Sequence, residues 1–200
     1  MNEPNPAPPI ICEIVRSIAT VRFNRLTESN SLSTTTLAEL DTLLSTLIGN
    51  RNLQAIIFTG TDNAFLSGAD IRELATLDIQ TARDFSRTGQ RVFQKIAEAS
   101  QTTIAAVNGF CMGGGMDLAL ACDNRVASPS AVFAHPGARL GIITGWGGTQ
   151  RLPRIIGKAR TIELFTTARR LTSSEALKIG LITAIYEPVL EGAINVAKTL

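Results

Sequence analysis

The sequence predicts an α/β fold with parallel strand pairing, on three observations: short apolar runs bounded by turn residues, long stretches of helical periodicity between them, and glycine-rich turns leading into helices. Ala19, Val21 and Phe23 alternate with Thr20 and Arg22, a half-buried strand expected to pair back on residues 10–15. Leu37, Leu40, Leu44, Leu47 and Ile48 then recur at helical spacing, which predicts an amphipathic helix capped by Ser33. Residues 55–59 (Ala-Ile-Ile-Phe-Thr) run into Gly60 and read as a buried strand. A long helix is expected over 78–99, where Ile79, Ala82, Phe85, Val92, Phe93 and Ile96 share one face. Residues 103–107 form a second buried strand, followed by Asn108, Gly109 and a glycine triplet. A late strand over 182–186 and a helix from Leu190 to Leu200 complete the pattern. No linker or repeat divides the chain, so residues 10–200 are expected to form one domain behind a disordered lead, 1–9.

With 44% hydrophobic residues in 200, the chain has ample material for a core. A net charge of +2 and no basic run speak against a nucleic-acid partner. The proline-rich start has neither part of a signal peptide, and no apolar run approaches the roughly 20 residues of a membrane span. Cys12, Cys111 and Cys122 are odd in number and lack metal-ligand spacing, so a reducing, cytoplasmic setting is expected. His135 is the single histidine, which excludes any site needing two.

Two segments share one design, small residues between a buried strand and a helix start. They are Phe65-Leu66-Ser67-Gly68-Ala69-Asp70-Ile71 and the stretch from Asn108 through Gly113-Gly114-Gly115 to Leu118. A helix N-terminus presents unsatisfied N–H groups, and glycine or alanine lets a ligand approach them. Converging on one point, two such ends would make an oxyanion hole, each donor contributing about 3 kcal/mol to a developing charge. Taken singly, each turn reads more readily as a simple tight connection. The dinucleotide and P-loop fingerprints are both absent. Gly145-Trp146-Gly147-Gly148 follows no buried strand and is read as a backbone-permissive loop.

Together these segments resemble the crotonase superfamily of enoyl-CoA hydratases and isomerases. The matching blocks are Ala64 to Ile71, Ala105 to Gly109 with Gly113-Gly114-Gly115, Ala121-Cys122-Asp123, and Leu140-Gly141 through Gly147 to Pro153. Arg170-Leu171-Thr172 and Glu175-Ala176 to Gly180-Leu181 match further on, so the resemblance runs from about residue 14 onward. It implies a spiral of β-β-α units, assembled as trimers or paired trimers, acting on a CoA thioester that is substrate, with no cofactor. By position, the amides that hold the thioester carbonyl would be those of Ala69 and Gly114. Asp70, Ile71 and Arg72 would lie along CoA, and Arg25 and Ser31 near its adenine end.

The chain also departs from the family. Its hydratases place two glutamates around one water, because addition across a double bond needs two proton transfers. Here the first position is Asp117, one methylene shorter, and the second is Gly137, which carries no proton. His135 stands two residues from that gap, and Asp123 reads as structural. Asp117 is also suited to be a mere partner of the helix dipole. The sequence further lacks much of the usual C-terminal helical region. Three readings stay open: a hydratase/isomerase using Asp117 as its only acid/base carboxylate, another crotonase reaction such as decarboxylation, and a non-catalytic acyl-CoA-binding or assembly subunit.

Overall fold

The computed structural model describes residues 8–199, so residues 1–7 of the expected lead, and Leu200, lie outside the described residues. Strands β1 (Ile10–Val15) and β2 (Ile18–Phe23) pair antiparallel as expected, Ile10 opposite Phe23. Strand β3 (Ser31–Leu32) feeds α1 (Thr34–Gly49), whose cap Ser33 accepts from the Thr36 N–H at 3.1 Å. The chain continues through β4 (Ala55–Thr59), β5 (Ala64–Leu66), β6 (Gly68–Ala69), α2 (Ile71–Leu74) and α3 (Ile79–Ala97). Next come β7 (Thr102–Val107), β8 (Phe110–Met112), α4 (Gly114–Ala121), β9 (Asn124–Ala127) and β10 (Val132–Ala134). A 3₁₀ turn (Pro136–Leu140) leads to α5 (Gly148–Ile156) and α6 (Lys158–Thr167). The last described elements are β11 (Leu171–Thr172), α7 (Ser173–Lys178), β12 (Ala184–Ile185) and α8 (Val189–Thr199).

A six-stranded sheet runs β1-β2-β4-β7-β9-β12 and is parallel apart from its first pair. A second sheet runs β11-β10-β8-β5, and β3 pairs with β6 alone. The repeat is visible in the order: β4, β7 and β9 enter the large sheet, β5, β8 and β10 enter the small one, and a helix follows each pair. This is the expected spiral of β-β-α units. The large sheet is covered on both faces, which explains why β4 reads as one continuous apolar run. Ile56 and Phe58 face the main core with the α1 leucines, while Ala55 and Ile57 face α8 through Val189, Ala193 and Ala197. Fully burying each such side chain stabilises the fold by roughly 1.5–3 kcal/mol.

Some expectations were only partly met. The late strand shortens to Ala184–Ile185, because Leu181 turns back to donate its N–H to the Ala176 carbonyl at 2.8 Å and buries. Ile79 is 79% exposed, since the first turns of α3 overhang the core and only Gly89, Val92, Phe93 and Ile96 are buried along it.

The units are stitched at their turns. The Asn108 side chain accepts from the Gly60 N–H at 2.9 Å and donates to the Asp62 carbonyl at 2.9 Å. A Cβ on Gly109 would lie 1.8 Å from the Asn63 carbonyl oxygen, so only glycine permits this approach. One step further, the Gly113 N–H donates to the Ala134 carbonyl at 2.9 Å. The first ties fix the entry to β5 and β8, and the last holds the C-terminal ends of β8 and β10 side by side, the usual place for a ligand in a parallel sheet.

Candidate active site

At those strand ends lies a cavity of about 260 Å³ with apolar walls. Leu74, Leu77, Phe85, Ile142, Ile143 and Trp146 supply most of its apolar lining. Ala69, Gly114 and His135 all line it.

The two glycine turns meet here. A Cβ on Gly114 would lie 3.4 Å from the Ala69 nitrogen, and one on Gly68 would lie 3.3 Å from the Gly114 nitrogen. The Asp70 N–H is used by β3, donating to the Leu32 carbonyl at 3.1 Å. Neighbouring amides in extended chain point to opposite sides, which turns the Ala69 N–H away from β3. Gly114 opens α4, so its N–H has no intrahelical acceptor. Among the described residues neither amide is given to a side chain. The result is two unengaged donors at the edge of one apolar cavity.

Asp117 sits a layer behind. It is fully buried and is not among the cavity-lining residues. Its Oδ2 accepts a hydrogen bond from the Thr144 hydroxyl. The Trp146 and Gly148 N–H groups face the carboxylate without full hydrogen-bond alignment. Burial pushes its pKa up to about 6, against the opposing pull of Thr144, these two amides and the Arg151 charge. Oδ1 lies 3.4 Å from His135 Nε2, and neither atom has another partner among the described residues. The His135 ring packs at 4.8 Å from that of Phe165, and burial pulls its pKa down to about 4.

Gly137 lies on the cavity wall, as its place in the sequence implies, but the 3₁₀ turn closes around it. A Cβ there would fall 2.7 Å from the Ile142 carbonyl oxygen, so a glutamate cannot be restored without moving backbone. Asp123 is structural: its carboxylate accepts from the Thr103 N–H at 2.8 Å and the Thr103 hydroxyl at 2.9 Å.

The residues expected along CoA form a second, polar depression beside the cavity. Arg25, Asp70 and Arg72 line it, while Ala69 and Ile71 line the cavity, so this short segment straddles both. Arg25 donates to the Ser31 carbonyl at 2.7 Å and pairs with Glu28. Arg72 grips Asp70 at 2.6 Å and 3.0 Å and reaches Glu28 at 3.0 Å. That grip holds the Asp70 carboxyl down at about 2. Both arginines are therefore already paired, and a phosphate would have to compete with carboxylates for them.

The loop read as merely permissive does more than connect. The Trp146 indole is wedged between two helices: a Cβ on Gly89 of α3 would come within 2.3 Å of it, and one on Gly114 within 2.4 Å. Its Nε1 donates to the Phe85 carbonyl at 3.3 Å. A lone tryptophan between glycines was the available signal, because a large ring in a loop needs a slot cleared of side chains.

Residues 13–200 match the family model described as enoyl-CoA hydratase/isomerase. A short-chain-enoyl-CoA hydratase of Clostridium acetobutylicum is 38% identical over 90% of this chain and 69% of its own length. A crotonyl-CoA hydratase of Syntrophomonas wolfei is 39% identical with the same coverage, 90% and 69%. The crystal structure of an enoyl-CoA hydratase from Bacillus anthracis superposes with a TM-score of 0.92 at 35% identity, covering 96% of this chain and 76% of that one.

Proposed function

The chain belongs to the enoyl-CoA hydratase/isomerase family and is an acyl-CoA-processing enzyme of that type, and from this premise we propose that it adds water to a 2-enoyl-CoA. The observation that carries the reading is the convergence of the Ala69 and Gly114 turns on one apolar cavity. The thioester oxygen sits between their amides, which bind it more tightly as it gains charge in the enolate. The acyl chain lies against Trp146 and Phe85, and Ile71 guards the mouth. Coenzyme A leaves over the polar depression, where Arg25, Asp70 and Arg72 meet its polar end, while the buried Ser31, whose carbonyl accepts from Arg25, does not line it. Among the described residues no carboxylate lines the cavity, and the buried Asp117 behind it, 3.4 Å from His135, supplies negative charge for proton transfer there. Two relatives named as hydratases of short or crotonyl thioesters support hydration.

A second reading is favoured by Gly137. Moving a double bond takes a proton from one carbon and returns it to another, so one acid/base group suffices. A panel of 2-enoyl-, 3-enoyl- and malonyl-type CoA thioesters separates the possibilities. Hydration is expected of the first. Turnover of only the second would make the enzyme an isomerase, and of only the third a decarboxylase. Binding without turnover of any would remove the catalytic reading.

We also propose a trimer or paired trimer in a reducing, cytoplasmic setting. Large apolar side chains stand exposed at the cavity mouth, Ile71 at 65% and Ile143 at 64%. The three cysteines are free. Among the described residues no helix is long and apolar enough to cross a membrane.

A further inference from the structure

A cavity that performs proton transfer needs a group that can accept and return a proton at its surface. Among the described residues that line this one, only His135 carries a side chain that titrates; the other polar groups are the hydroxyls of Ser67, Ser86 and Thr144 and the Trp146 indole N–H, which is given to the Phe85 carbonyl. Asp117 lies behind them with no exposed surface. The position where a second carboxylate is missing is closed to any side chain by the Ile142 carbonyl.

His135 is placed for the task by backbone bonds. It follows Ala134, whose carbonyl accepts the Gly113 N–H, so the imidazole leaves its strand beside the Gly114 amide. Phe165 fixes the ring from one side. Nε2 faces Asp117 Oδ1 at 3.4 Å, with no competing partner for either atom among the described residues. An ionised Asp117 selects the tautomer with the proton on Nε2, which leaves the Nδ1 lone pair for a ligand. It also stabilises the imidazolium formed when Nδ1 takes up a proton. The surrounding charges are few: Arg151 on α5 acts on Asp117, and Cys111 on β8 is a buried thiol.

We propose that His135 is the catalytic acid/base that exchanges protons with substrate, and that Asp117 is its positioning residue. The proposal rests on the hydratase reading above and deepens it. One imidazole can serve both transfers. Nδ1 removes a proton from water as its oxygen bonds to C3 of the enoyl chain, and the C2–C3 π electrons move onto the thioester oxygen held by the two amides. The imidazolium then returns that proton to C2, and the enolate collapses to the thioester. One water is gained, and His135 ends neutral.

The test combines kinetics of the full chain with the nitrogen-15 spectrum of its histidine, which is free of overlap because the chain has only one. Wild type is expected to show the Nε2–H tautomer, and Asp117→Leu to lose that preference, because no acceptor then faces Nε2. His135→Gln is expected to lower kcat by about 10²–10⁴. Its KM, and its affinity for a saturated acyl-CoA, should stay within about threefold of wild type. Asp117→Asn should lower kcat in the same direction with KM likewise held. Hydration by wild type that survives His135→Gln would overturn the proposal and leave the hydratase reading standing. A wild type that turns over no thioester would overturn both. A wild-type Nδ1–H tautomer would overturn the pairing even if every variant misfolded.

Discussion

At 3.4 Å from one another, Asp117 and His135 share a desolvated space that acts on them in opposite senses. Burial raises the acid from 3.8 to about 6 and lowers the base from 6.5 to about 4. The raised acid contributes stability that is present below 3.8 and lost as pH rises through 6. The depressed base contributes stability that is present above 6.5 and lost as pH falls through 4. The two windows overlap with opposite slopes, so the wild type is expected to vary little in stability across them. Removing either partner exposes the other. Asp117→Ala is expected to lose about 3 kcal/mol between pH 6.5 and 4, and His135→Ala about 3 kcal/mol as pH rises from 3.8 to 6. Urea unfolding at a series of pH values measures both slopes, and two variants that track the wild type would contradict this account of the pair. The sequence alone showed both residues, but not their meeting. Asp117 is on α4 and His135 follows β10, and only the spiral brings those ends together.

Helices α3 and α4 and the loop before α5 join at Trp146, and this joint lines the cavity. Gly89 and Gly114 leave the slot, and Phe93 meets the indole edge-on at 5.5 Å. Gly89→Ala is expected to push the ring out at a cost of about 1–3 kcal/mol. Because Trp146 is the only tryptophan, its fluorescence should shift to the red in that variant, with a lower acyl-CoA affinity. Unchanged emission and affinity would show that the joint does not shape the cavity. Elements of this kind were unevenly legible. Helices α1 and α3 and strands β4 and β7 announce themselves because long apolar periods or wholly buried runs leave few alternatives. Strands β3, β6, β11 and β12 are two residues each, too short for any period. Helix α5 is disguised by Gly148 at its start, Pro153 within and Gly157 after it.

For the whole molecule, repetition of one β-β-α unit places equivalent turns in a row, and the site is where three of them come abreast. The glycine turns were readable as possible anion sites; that they converge follows only from the Asn108 and Gly113 ties between units. The exposed Ile71, Leu140 and Ile143 make a mouth poorly suited to water, so sedimentation is expected to show a trimer or its double. A monomer at assay concentration would contradict that assembly. The central claim is narrower than assembly: two peptide N–H groups hold one thioester oxygen. Exchanging the Ala69 or Gly114 peptide nitrogen for an ester oxygen deletes a donor and leaves the side chains untouched. Each ester is expected to lower kcat for 2-enoyl-CoA hydration by about 10²–10³ while saturated acyl-CoA still binds. Esters at both positions that turn over like the wild type would contradict it.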